Sequence, residues 1–112
     1  PCLVTTDDIP DPQMLRLLTR LNGREVQNES TANMIHPIAS LIAYISTFTL
    51  LSPGDTILTG SPGGVGKKRV PPLFLHDGDV IEVEIEHIGT LRNVVRDSRY
   101  LTSSVSWHDG RK

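Results

Sequence analysis

The sequence predicts a β-rich α+β domain, and three observations carry that expectation. Val80 to Glu86 alternates strictly, with Ile81, Val83 and Ile85 on one face and Glu82, Glu84 and Glu86 on the other, the period of a half-buried strand. Asn22-Gly23 separates two β-prone runs and is a strong hairpin signal. One stretch, from Pro37 to Phe48, has the pattern of a helix. Roughly six short strands with one helix place the chain in this class.

Taken in order, Cys2 to Thr6 reads as a strand, ended by Asp7-Asp8-Ile9-Pro10-Asp11-Pro12, where the prolines disfavour helix in the residues before them. Met14, Leu17, Leu18 and Leu21 fit a helical face, while Leu15, Leu17, Thr19 and Leu21 fit a strand face. Asn22-Gly23 decides for the strand, with Glu25-Val26-Gln27 returning. Asn28 to Thr31 is a polar loop. Pro37 suits the first helical turn, where its missing N–H leaves nothing unpaired. Ile38, Leu41, Ile42, Ile45 and Phe48 then form a broad apolar face that predicts burial against a sheet. Pro53-Gly54 marks a turn, and Thr56-Ile57-Leu58-Thr59 is expected as a buried strand. Lys67-Lys68-Arg69 is a short basic cluster closed by Pro71-Pro72, and His76 to Asp79 is a turn. After the alternating strand, Ile88-Gly89-Thr90 turns the chain into a last strand reaching Arg96. Residues 97–112 form a polar tail with the lone Trp107.

A chain of 112 residues supports one domain with a modest core. A formal net charge of −2 gives no electrostatic case for nucleic acid or an anionic membrane. No apolar run approaches the ~20 residues that span a bilayer, and the first residues lack a secretory pattern, so the cytoplasm is the expected location. The single Cys2 excludes an internal disulfide. Pro1 leads directly into a β-prone run, which points to a chain that starts inside a larger structure.

The chemistry-bearing stretch is Thr59 to Gly66, with four glycines and one proline in its last seven residues. Glycine lets a ligand approach the main chain closely, and Thr59 and Ser61 set hydroxyls on either side of Gly60. A phosphate-binding P-loop would need glycine where Ser61 stands, Ser or Thr where Lys68 stands, and a helix where Pro71-Pro72 follows. The nucleotide reading is therefore set aside. Two readings stay open: hydroxyls and N–H groups that hold a carboxylate, or a tight turn whose hydroxyls bond its own backbone. Glu82, Glu84 and Glu86 could ligate a cation, but pairing with Arg92 and Arg96 on the neighbouring strand is the stronger expectation. His36, His76, His87 and His108 lack metal-ligand spacing, and no G-x-S-x-G nucleophile elbow occurs.

The order of these pieces resembles the fumarylacetoacetate hydrolase family. The matching segments are Pro1 to Asp7, Asp11-Pro12, Leu21-Asn22-Gly23 with Gln27, Met34-Ile35 and Leu41 to Ser46. Leu51 to Asp55, Thr59 to Val65, Gly78 to Glu86 and Ile88 to Asn93 complete the set. The resemblance implies that residues 1–96 are the C-terminal part of a catalytic domain built as a mixed β-sheet roll, usually dimeric. It implies catabolic chemistry on 1,3-diketo, acylpyruvate-type or other 2-oxo acids, by hydrolysis of a C–C bond, decarboxylation or isomerisation. It also implies a divalent cation, Mg²⁺ or else Mn²⁺ or Ca²⁺, acting as a Lewis acid, and a Glu-His pair that activates water. In the family those ligands and that pair lie upstream of the segment matched here. No catalytic or metal-binding residue is therefore expected in this chain, and the chain alone is expected to be inactive. Ser61 stands where threonine is commoner and would contact a substrate carboxylate. Thr59 and Gly60 would shape the wall, and Gln27 would sit at the rim. A non-catalytic dimerisation scaffold and a small-carboxylate-binding protein are the alternatives.

Overall fold

The computed structural model describes residues 3–100, so the readings of Cys2, Trp107 and His108 lie outside the described residues. Four strands, β1 (Arg16–Leu21), β2 (Arg24–Ser30), β3 (Val80–Ile85) and β4 (Gly89–Val94), pair antiparallel in the order β2-β1-β3-β4. One helix, α1 (Ile38–Ile45), and short 3₁₀ turns complete the described elements, a β-rich α+β arrangement. No described helix is long and apolar enough to cross a membrane.

The hairpin forms where Asn22-Gly23 demands it. Both residues have positive φ, 51° and 77°, the signature of a type I′ turn whose twist matches the strands it joins. Asn22 also anchors that turn to β3: its backbone N–H donates to the Val80 carbonyl and its Oδ1 accepts from the Val80 N–H, each at 2.8 Å. The alternation in β3 holds in the register. Leu17, Thr19 and Leu21 lie opposite Ile85, Val83 and Ile81. On the other face, Arg20 reaches Glu84 at 2.8 Å and Arg92 reaches Glu82 at 3.5 Å. Arg96 instead faces Asp77 at 3.8 Å, because β4 ends at Val94 and leaves it beyond the ladder. The turn before β4 falls at Glu86 to Ile88, with His87 at a φ of 62°, so Gly89 opens the strand.

Burial is concentrated on and beside β1, where Leu15, Leu18, Thr19 and Leu21 are buried. The helix starts one residue after Pro37, and a distant side chain caps it. Gln13 Oε1 accepts from the Ile38 N–H at 2.9 Å while its Nε2 donates to the Thr31 carbonyl, tying the helix entry to the segment before β1.

Further expectations change: Asn28 to Ser30, expected in a loop, continue β2 because they pair with Leu18, Leu17 and Arg16 of β1. The apolar face of α1 is not covered by the sheet among the described residues: Ile42 and Phe48 are 44% and 66% exposed. An apolar period says that a face favours burial, not what buries it. Thr56 to Thr59 is irregular and Leu58 is 92% exposed, and Leu3 to Thr6 runs into a turn rather than a strand. A strand exists only through a partner's ladder, and none of the four strands lies beside either segment.

Candidate functional site

Strand alternation puts Gln27 and Glu29 on one face of β2, across from Thr19 and Leu17 of β1. Over this face lies a cleft of about 440 Å³. Leu17 and Glu29 line it from the sheet, Met34 and Leu41 from the helix side, and Thr59, Gly60 and Ser61 from the glycine-rich loop. The three loop residues singled out in the sequence therefore face one concavity together.

The two readings of this loop differ in what its donors would be bonded to. The hydroxyls of Thr59 and Ser61 make no hydrogen bond among the described residues, and neither do the backbone N–H groups of Gly60 and Ser61. A self-satisfied turn would have used them. Gly60 adopts a φ of 101°, which a side chain would strain, so the backbone turns here at little cost. By contrast, the nearby hydroxyls of Ser30 and Thr31 are occupied, accepting from the N–H groups of Ala32 at 3.2 Å and Leu15 at 2.9 Å.

The loop is held from behind. Gln27 is absent from the cleft lining; its Nε2 donates to the carbonyls of Pro62 and Gly63, both at 3.2 Å. Arg69 donates through Nε to the Gly64 carbonyl at 3.0 Å and through Nη2 to the Val26 carbonyl. Gly64, at a φ of 93°, packs so closely that a Cβ there would lie 2.8 Å from the Val26 oxygen. The loop then enters a three-residue 3₁₀ turn, Gly66–Lys68, with no α-helical N-terminus to receive a phosphate.

Sequence reasoning missed Glu29. Its Oε1 accepts from Asn33 Nδ2 at 2.6 Å and from the Ser30 N–H at 3.0 Å. The Asn33 amide first, and then the Ser30 N–H, hold this carboxyl below the usual carboxylate range. The available signal was its place two residues beyond Gln27 and four before Asn33. His36 also lines the cleft and is exposed.

No group of three His, Cys, Asp or Glu side chains among the described residues is placed to hold a metal ion. Glu84 and Glu82 are engaged by Arg20 and Arg92, and Glu86 accepts from the Arg16 N–H at 3.1 Å. The described residues therefore do not fit Mg²⁺, Mn²⁺ or Ca²⁺.

Residues 1–96 match the family model for the fumarylacetoacetate (FAA) hydrolase C-terminal domain. The chain is 47% identical over 95 residues to the mitochondrial oxaloacetate tautomerase Fahd2a of Rattus norvegicus, covering 85% of this chain and 30% of that protein. It is 42% identical over 106 residues to a 2,4-didehydro-3-deoxy-L-rhamnonate hydrolase of a Sphingomonas strain, covering 94% and 37%. The solved fumarylacetoacetate hydrolase of Exiguobacterium antarcticum superposes with a TM-score of 0.78 at 43% identity, over 83% of this chain and 33% of that one. The chain thus spans about a third of the length of the relatives it matches. With the motif order, the sheet and the glycine-rich loop all in agreement, the chain belongs to the fumarylacetoacetate hydrolase family.

Proposed function

We propose that this chain supplies the carboxylate-holding wall of an enzyme that hydrolyses a C–C bond in a 1,3-diketo or acylpyruvate-type acid. The observation that carries this reading is the set of unspent donors on Thr59, Gly60 and Ser61, facing a cleft with apolar walls. Oxaloacetate is a 2-oxo acid, and the rhamnonate derivative named in the second relative is a 2,4-diketo acid. Both place a carboxylate beside a ketone and an acidic CH₂ between carbonyls. A site for either must hold that carboxylate while the neighbouring carbon changes its bonding.

In this reading Ser61 Oγ and Thr59 Oγ donate to the carboxylate oxygens, and the Gly60 and Ser61 N–H groups complete the cradle. Leu17, Met34 and Leu41 take the carbon chain and exclude water from that side. Gln27 and Arg69 keep the loop in place, so little reorganisation accompanies binding. The divalent cation and the water-activating Glu-His pair would come from the part of the relatives' length that this chain does not span. Decarboxylation or isomerisation of a related 2-oxo acid would use the same wall.

Calorimetric titration of a 2-oxo acid into the wild-type chain and into Ser61→Ala tests this. Removing a hydrogen bond to a charged group should weaken binding roughly tenfold or more. Equal affinity in the two proteins would overturn the assignment of Ser61.

A further inference from the structure

On the helix side the cleft is lined by Asn33, Met34, Ile35 and His36, followed by Leu41 of α1. Gln13 is half-buried and does not line the cleft, yet its side-chain amide grips both ends of the stretch that does. Its Oε1 accepts from the Ile38 N–H at 2.9 Å, and its Nε2 donates to the Thr31 carbonyl. The Thr31 end has further ties: its N–H donates to the Leu15 carbonyl at 2.8 Å, and its Oγ1 accepts from the Leu15 N–H at 2.9 Å. The Ile38 end has none. Among the described residues, no other hydrogen bond joins residues 35–45 to anything but the helix itself and the turn that follows it. Gln13 is itself fixed, in the 3₁₀ turn Pro12–Met14 just ahead of buried Leu15 and β1, with its N–H donating to Asp11 Oδ1 at 2.8 Å.

From this arrangement we infer that Gln13 is a positioning residue that sets the width of the cleft, and through it the bulk of the acyl end that the cleft accepts. The inference rests on the loop holding the substrate carboxylate, as proposed above. With the carboxylate seated at Thr59 to Ser61, the rest of the acid lies between that loop and the wall of Met34 and Leu41. Both sides of that gap belong to this chain, and one amide sets how far the helix side stands from the sheet. Without it, no other hydrogen bond returns α1 to its place. An acyl end that fits the gap then loses contacts, and one too bulky for it gains room.

Pyruvate and 4-methyl-2-oxopentanoate make the test, because they share the 2-oxo carboxylate and its charge and differ in the bulk of the acyl end. Their dissociation constants are measured by calorimetry or amide shifts for the wild type and Gln13→Met, which keeps the side-chain length and removes both bonds. The ratio of the two constants does not depend on the folded fraction, so a merely structural loss of stability leaves it unchanged. Gln13→Met should shift the ratio severalfold toward the branched acid, and the Ile38 amide should exchange faster with solvent. An unchanged ratio, or a shift toward pyruvate, overturns the role of Gln13 even where the amide exchanges faster. A wild-type chain that binds neither acid saturably overturns the carboxylate cleft, and this inference with it. Gln13→Glu keeps an acceptor for Ile38 and loses the donor to Thr31. It should shift the ratio in the same direction by less, and it decides alone should Gln13→Met fail to fold.

Discussion

Gly63 and Gly64 are adjacent in the sequence and differ in what a methyl group would meet. At Gly63 an added Cβ finds open space, while at Gly64 it finds the Val26 carbonyl at 2.8 Å and Arg69 Nη2 at 3.1 Å, on a backbone with a φ of 93°. Backbone strain of this kind costs of order 1–3 kcal/mol. Gly64→Ala should therefore lower the urea midpoint clearly and release the loop from β2, whereas Gly63→Ala should stay within a few tenths of a kcal/mol of the wild type. Parallel urea titrations check the contrast, and equal effects would contradict the close packing. Composition made the glycine-rich loop visible but could not rank its glycines. The ranking comes from Gln27 and Arg69, whose contacts join residues 35 and 43 positions apart.

At the scale of elements, the carboxylate of Asp79 fixes the start of β3. Asp79 receives Asn22 Nδ2 at 2.8 Å on one oxygen and the His76 N–H at 2.7 Å on the other. The Asn22 amide first, then the His76 N–H, lower the Asp79 pKa. A carboxyl with a depressed folded pKa adds stability that is fully present above its unfolded pKa and is lost as the pH falls through the folded value. Asp79→Asn should thus reduce stability at neutral pH, with a difference that shrinks as the pH drops below about 4. Thermal melts of both proteins between pH 7 and pH 2 check the sign. A gap that widened in acid would contradict it.

The elements that the sequence specified well are those with local determinants: the Asn22-Gly23 turn, the alternation of Ile81, Val83 and Ile85, and Pro37 at the helix entry. Thr56 to Thr59 had strand composition but lacks a partner among the described strands, and no local pattern reveals a missing partner. Glu29 escaped notice because a strand glutamate beside a polar loop resembles any solvated residue. Its significance lies in Asn33 and in the distant loop that shares its cleft.

For the whole molecule, many large apolar side chains among the described residues stay exposed. Ile35, Leu50 and Leu58 are close to fully exposed, α1 presents Ile42 and Tyr44 outward, and Phe48 is exposed in the turn beyond it. Apolar surface gathered in this way favours association. The chain spans about a third of its relatives' length. The isolated chain should self-associate in a concentration-dependent manner, measurable by sedimentation across micromolar concentrations. Replacing Ile42 and Phe48 with glutamine should suppress it. A strictly monomeric chain at every concentration would contradict this.

The central claim is that the Thr59 to Ser61 loop forms a carboxylate-holding wall. An amide-resolved NMR titration of the isotopically labelled chain with 2-oxopentanoate tests it most directly. The account predicts saturable shifts centred on Thr59, Gly60, Ser61 and Gly63, with smaller ones near Met34 and Leu41 and quiet amides along β4. Saturable shifts concentrated away from this loop, or a loop that does not respond at millimolar acid, would contradict it.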